Sequence, residues 1–241
     1  VLVLSFSPLR SDPRVDRQIR ALVRSYPVVS CGYGSAPQGV TDHVQVDPGA
    51  RKPVGRALAA VQLKLGMTEQ FYWSHARIRA TLKALAGRAF DLVIANDFEA
   101  LPVSIKLAAG APVLFDAHEY APLEFEDLPA WRFFFGPYRD RMCKKYLPRA
   151  AAVTTVCQGI AERYRDEYGV HVEVITNAAP FHDLPLRPTS PSQIRLIHHG
   201  GATASRRIEG MIDMMDLVDD RFSLDLILVP GDQLYIARIR Q

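Results

Sequence analysis

The chain has 241 residues, 48% of them hydrophobic and 23% charged, an ordinary globular composition with length for one large domain or for one and a half. A net charge of +3 is too mild to point to nucleic acid, and no apolar run approaches the ~18 residues that a membrane-spanning helix needs. The three cysteines, Cys31, Cys143 and Cys157, are odd in number and lack C-x-x-C spacing. They argue against a disulfide framework and a zinc site and for a reducing compartment. With no signal peptide in view, a cytoplasmic location is expected.

Residues 1–6 (VLVLSF) read as a buried strand. Asp12 can cap a helix with Pro13 at its first position, and Val15, Ile19, Leu22 and Val23 form its apolar stripe. The arginines around it suit a solvated face, with Arg14 set apart in the first turn beside the end of the first strand. A second strand is expected at 27–31, followed by Gly32-Tyr33-Gly34. The third glycine of a dinucleotide fingerprint is missing there and no helical pattern follows, which argues against a Rossmann cofactor site. A short strand at 42–46 and helices at 51–66 and 71–87 complete the first stretch.

The unit at 91–120 (DLVIANDFEALPVSIKLAAGAPVLFDAHEY) reads as strand, helix, strand. Its apolar runs, 92–95 and 113–115, are those of strands buried on both faces, and Gly110 ends the helix at 98–109. Both runs finish in polar groups, Asn96-Asp97 and Asp116-Ala117-His118-Glu119. In a parallel sheet these ends lie side by side at the carboxyl edge, where open α/β folds bind ligands. Asp116 and Glu119 flank His118 and are expected to orient it.

Residues 131–149 (WRFFFGPYRDRMCKKYLPR) interleave aromatic rings with six basic residues against the single acid Asp140. Such a stretch is either a helix packing its rings on the domain or a surface that meets anionic lipid head groups or a lipid-linked substrate. A strand at 151–157, a helix at 158–168 closed by Gly169, and a short strand at 172–175 follow. The first domain is thus expected over 1–181, a Pro-rich linker over 182–192, and a second domain from 193. That second part reads as strand (194–199), Gly-rich turn (200–205), helix (206–218), strand (224–229) and helix (232–240). Alone it has two open sheet edges and a thin core, so it is expected to be the beginning of a larger domain.

Six pieces in this order resemble the GT-B glycosyltransferases of the GT4-like group (glycosyl transferase group 1): SDPRVDRQIRAL (11–22), DLVIANDFEALPVSIKLA (91–108), PVLFDAHEY (112–120), AAAVTTVCQGIAERYRDEYGV (150–170), VEVITNAAP (172–180) and HHGGATASRRIEGMIDMM (198–215). The succession D-x-H-E, V-x-x-N-x-x-P and G-G-x4-R is the specific part. The resemblance implies an α/β GT-B architecture with two Rossmann-like domains. It also implies a retaining transfer of a sugar from a nucleoside-diphosphate donor to a glycan, a lipid-linked acceptor or a small molecule. Under it, His118 matches the histidine that meets the donor sugar. Arg206 matches the basic residue on the donor diphosphate, with Gly200 and Gly201 letting backbone approach a phosphate at the start of a helix. Asn96, Asp97 and Asn177 fall on the acceptor side. The family's glycine-rich loop after the first strand is here Ser7-Pro8-Leu9-Arg10, so Ser7 and Arg14 must replace its backbone amides. The family's paired glutamates of the second domain are not found within the 241 residues. No D-x-D occurs, which agrees with a metal-independent transfer in which cations and a helix N-terminus carry the leaving diphosphate; no cofactor is expected. A nucleotide-sugar epimerase with the same crevice, or a non-catalytic nucleotide-sugar-binding chain, remains open.

Overall fold

The computed structural model describes residues 1–49, 53–179, 181–185, 188–229 and 233–240, the side chains of 53–56 excepted. Two compact units meet this description, Val1–Ala179 and Pro180–Gln241. Residues 51–52, 180 and 232, which the sequence reading placed in two helices and in the V-x-x-N-x-x-P motif, lie outside the described residues, as does the side chain of Val54.

The first unit is built on seven strands, β1 (Leu2–Pro8), β2 (Val29–Tyr33), β3 (Asp42–Gln45), β4 (Val93–Asn96), β5 (Val113–Ala117), β6 (Ala152–Thr155) and β7 (Glu173–Val174). They form one sheet in the order β3-β2-β1-β4-β5-β6-β7, every neighbouring pair parallel. The chain builds outward from β1 to β3, then starts again on the other side with β4. The order reverses between β1 and β4, and such a switch point opens a crevice beyond the carboxyl ends of its strands.

Register decides what faces that crevice. Ser5 pairs with Asn96, Asn96 with Asp116, and Asp116 with Thr154, so one polar row crosses four strands. All four residues are buried. The row one residue earlier, Leu4, Ala95, Phe115 and Val153, is apolar and buried. Because side chains alternate across a strand, the polar row shares its face with Val3 and Ile94. These pack with Val15 and Ile19 of helix α1 (Pro13–Leu22). Asp12 caps α1 as its sequence predicts, its Oδ1 accepting from the amides of Arg14 and Val15 at 3.2 and 3.3 Å.

Gly32 owes its place to packing. A Cβ there would lie 2.6 Å from the carbonyl oxygen of Ser5 and 2.7 Å from Leu9, so β2 approaches β1 too closely for any side chain.

The remaining helices of the unit are α2 (Pro53–Lys64), α3 (Thr68–Trp73), α4 (Ala76–Ala84), α5 (Leu101–Ala108), α6 (Gly136–Tyr146) and α7 (Gln158–Tyr168). Three expected helices are more broken than their periodicity suggests. The one over 71–87 divides at His75, which turns extended at φ −69° and ψ 133°, while Ser74 before it keeps helical dihedrals and its hydroxyl donates to the carbonyl of Phe71 at 2.9 Å. The one over 98–109 opens with a 3-10 turn, Phe98–Ala100, and Ala109 ends it in the left-handed region at φ 49°. The 131–149 stretch is a π turn (Trp131–Phe135), then α6, then a 3-10 turn (Leu147–Arg149).

The second unit holds a parallel pair, β8 (Ile194–Gly201) and β9 (Phe222–Val229), with helices α8 (Ile208–Asp213) and α9 (Gln233–Ile239). Its buried centre is small: Ala202, Ile208 and Tyr235. Gly200 and Gly201 continue β8 instead of turning. The helix expected over 206–218 is interrupted at Arg207, which takes a left-handed conformation at φ 49°.

Candidate functional site

The site assembles around His118, just past the end of β5. Its Nδ1 lies 3.0 Å from Asp97 Oδ2, and its Nε2 lies 3.5 Å from Asp116 Oδ2 and 3.3 Å from Asn96 Oδ1. The His118 backbone N–H donates to the other oxygen of Asp97 at 3.1 Å. Asp97 therefore holds both the main chain and the ring of His118, while Asp116 approaches the far ring nitrogen. Asp116 is itself held by the hydroxyl of Thr154 at 2.8 Å, and Asn96 by Gln18 Oε1, to which its amide donates at 2.9 Å. Asp97 reaches His118 through an unusual backbone, φ 63° and ψ 163°, a region populated almost only by glycine.

Electrostatics follow from this geometry. Burial favours the neutral imidazole, but the hydrogen bonds of Asp116 and Asp97 outweigh it and push the His118 pKa up to about 9. Burial would also raise Asp116, yet the bonds from His118 and Thr154 hold its carboxyl below the usual carboxylate range. The charge of Arg14 acts on both, lowering each pKa, so Arg14 lies within electrostatic range of this pair. Its Nη1 is buried without a hydrogen-bond partner. At neutral pH the cluster is an imidazolium between two carboxylates, with a guanidinium nitrogen left unsatisfied nearby. A protonated His118 donates hydrogen bonds and has no lone pair with which to abstract a proton. Its Nε2 contacts are the longer ones, so that N–H is the one a substrate oxygen can claim.

A cavity of about 170 Å³ opens at the β1–β4 switch point, lined by Ser5, Ser7, Arg77, Asn96, Asp97 and Glu99 among others. Ser5 and Ser7 bond to each other across 2.9 Å. Polar groups at the carboxyl ends of adjacent strands, a shifted histidine and a switch-point cavity are the marks of a ligand site in this class of sheet.

A family model described as Glycosyltransferase Family 4 matches residues 14–180, well over half of the chain. The chain belongs to Glycosyltransferase Family 4. No curated protein matches it. Among solved structures, Anabaena Alr3699/HepE in complex with UDP-glucose is similar with a TM-score of 0.61 at 15% identity, and in complex with UDP and glucose with a TM-score of 0.58. In both cases the match covers 100% of this chain and 64% of that one. S. aureus TarM is similar over 68% of this chain and 34% of its own, with a TM-score of 0.52 at 14% identity. The fold is thus of the GT-B type, and the chain spans less than two thirds of the length of these structural relatives.

In this Family 4 chain the expected residues divide as follows. His118, Asp116, Asn96, Asp97 and Arg14 come together in the first unit. Glu119 does not join them: it is exposed, and among the described residues it is held by its carbonyl, which accepts from the hydroxyl of Tyr164 at 2.9 Å. The chain turns after His118, which sends the next side chain away, and Asp97 takes the orienting role expected of Glu119. Asn177 is exposed and accepts a hydrogen bond from Arg17 on α1, one residue from the Gln18 that holds Asn96. In the second unit the guanidinium of Arg206 lies against the Cα of Gly200, where a Cβ would collide with it. Arg206 is exposed and sits in a 3-10 turn (Ala204–Arg206) instead of starting a helix. The first amide of α8 is already taken by the hydroxyl of Tyr235 at 2.9 Å. Any anion site there rests on the cation and the glycine backbone and gains nothing from a helix dipole.

Sequence reasoning missed Gln18, Thr154 and Arg77. Gln18 stands four residues after Arg14, on the same helical face, and Thr154 is a polar interruption of an apolar strand; both were available signals. Arg77, on α4, reaches the cavity only through the fold.

Proposed function

We infer that the chain carries the first domain and part of the second domain of an enzyme that moves a sugar from a nucleoside-diphosphate donor to an acceptor hydroxyl. The observation that carries this is His118, held protonated by Asp97 and Asp116 at the carboxyl edge of β5 in a Family 4 fold. The imidazolium donates from Nε2 to a hydroxyl of the donor sugar, where a hydrogen bond that strengthens as charge develops lowers the barrier. Asn96 and Asp97, beside the switch-point cavity, position the acceptor hydroxyl. Arg14 adds positive charge near the same crevice. In the second unit, Arg206 with Gly200 and Gly201 takes the donor diphosphate, without a metal ion. Retention of configuration is the outcome that the family resemblance implies. HepE, in complex with UDP-glucose, makes a uridine donor the first to try.

The epimerase alternative would use the carboxyl groups and His118 as proton shuttles, and product analysis with UDP-glucose and no acceptor separates the two readings.

The test is calorimetry of the full-length protein with UDP in EDTA, followed by product analysis with UDP-glucose. Binding that survives EDTA, and a turnover that His118→Ala lowers by about 10²-fold or more with melting unchanged, is the expected result. A strict magnesium requirement overturns the metal-free part. Turnover kept within a few-fold in a folded His118→Ala variant overturns the site.

A further inference from the structure

Three cavities of the first unit adjoin one another through shared walls. The switch-point cavity shares Arg77 and Glu99 with a second one of about 220 Å³. That one shares Phe71, His75 and Phe135 with the largest, a groove of about 560 Å³ between α2, α3 and the π turn. Ala59, Ala60, Val61 and Leu63 of α2 and Phe134 of the π turn supply most of the groove's remaining wall. The polar end of this run is at Asp97; the apolar end is large enough for a small ligand, whose sites run to roughly 300–1,000 Å³.

Arg77 stands between the two ends. Its guanidinium lies over the ring of Phe6, 4.9 Å from the centroid, and Nη1 donates to the hydroxyl of Tyr33 at 3.2 Å. Nε is buried without a hydrogen-bond partner. The two carboxylates that share the switch-point cavity are already taken, Asp97 by His118 and Glu99 by Arg139. Among the described residues Arg77 forms no ion pair. A half-buried guanidinium held by a ring and a phenol, with no carboxylate of its own, is a cation set for an anion.

We propose that the acceptor is a phosphorylated lipid: its hydrocarbon chain lies in the α2–α3 groove, its phosphate meets Arg77, and its free hydroxyl reaches Asp97. The proposal rests on the glycosyl-transfer reading and names its acceptor class. Charge and polarity select this occupant. A neutral lipid leaves Arg77 unpaired, and a soluble phosphosugar leaves the apolar groove empty.

The probes are dodecyl phosphate below its micelle concentration, dodecanol and inorganic phosphate, titrated by calorimetry into the parent protein and into Ala60→Phe and Arg77→Gln. Ala60 is exposed and lines the groove, so a phenyl ring there fills space without entering the core. Saturable binding of dodecyl phosphate is expected, at least ten-fold tighter than either partial probe and at least ten-fold weaker in each variant. Unchanged melting of both variants is part of the expected result. Three results overturn the proposal: no saturable binding of dodecyl phosphate, inorganic phosphate binding as tightly, or both folded variants binding like the parent. UDP titrated into the same samples separates the two levels. UDP binding without dodecyl phosphate binding removes the lipid acceptor and leaves glycosyl transfer standing, whereas loss of UDP binding removes the donor reading itself.

Discussion

His118 is predicted to be a cation at the pH where the protein works, and this is open to direct measurement. A pKa of about 9 against an ordinary 6.5 makes the ring about 97% protonated at pH 7.5, where an unperturbed histidine would be about 9% protonated. The difference corresponds to at most about 3 kcal/mol favouring the imidazolium in the folded chain. Asp97 supplies only part of it, because its side chain is 40% exposed and water screens its charge. Asp97→Asn should therefore lower the pKa by about one pH unit, ten-fold in proton affinity. Arg14→Gln should raise it, because Arg14 opposes the proton. Folding raises the affinity of His118 for its proton, so its contribution to stability is full below pH 6.5 and is lost as the pH rises through about 9. The assay is NMR titration of histidine-labelled protein from pH 5 to 10.5, with His118 assigned by its absence in His118→Gln, and thermal melts across the same range. Titration of His118 at or below pH 6.5, or opposite signs for Asp97→Asn and Arg14→Gln, would refute the reasoning.

Gly32→Ala should destabilise the first unit by about 1–3 kcal/mol, because its Cβ would meet the Ser5 carbonyl at 2.6 Å and strand backbone cannot step aside; an unchanged denaturation midpoint would show β2 and β1 to be less tightly paired. The exposed residues of the 131–149 stretch include Arg132, Phe133, Phe134 and Arg141, whereas Arg139 is buried between Glu99 and Glu124. Anionic vesicles should thus sediment the protein at low salt and release it at high salt. Arg132→Glu with Arg141→Glu should abolish the effect, and equal sedimentation of parent and variant would leave the stretch as packing alone.

How much of this was legible beforehand depended on the range of the interaction concerned. The central strands β1, β4 and β5 announce themselves as apolar runs, and α1 announces itself by the Asp12-Pro13 cap, since both signals are local. The D-x-H-E end of β5 and the Asn96-Asp97 end of β4 could be placed at one edge because parallel strands must finish together. Glu119 was misread for the opposite reason. Adjacency in sequence does not survive the turn after His118, while Asp97, 21 residues away, folds onto both the ring and the backbone of that histidine. Arg139 illustrates the same limit. It looked like one of several surface cations, yet it is packed over the Trp131 ring at 4.5 Å and paired with two carboxylates from distant turns. Local periodicity also concealed the breaks at His75 and Arg207, where one residue's backbone conformation overrides a continuing apolar stripe.

The backbone of Asp97 ties stability to function in a way that one pair of variants can expose. The register row from Ser5 to Thr154 places its side chains by sheet geometry alone. Asp97, one residue past that row, reaches His118 only by adopting φ 63° and ψ 163°. Residues in such regions store about 1–3 kcal/mol of strain. Glycine adopts the same conformation freely, at an entropic cost of about 0.5–1 kcal/mol. Asp97→Asn keeps the strain and loses the charge; Asp97→Gly loses both, together with the bonds to His118. If the strain is held for the sake of the histidine, Asp97→Gly should be as stable as Asp97→Asn or more stable by up to about 2 kcal/mol, although it removes more contacts. Both variants should drop the His118 pKa, and both should lose turnover. Urea denaturation of the two proteins at pH 7 decides the matter. A glycine variant clearly less stable than the asparagine one would mean that the bonds from Asp97 to His118 hold the fold together, and that its conformation is no sacrifice made for the site.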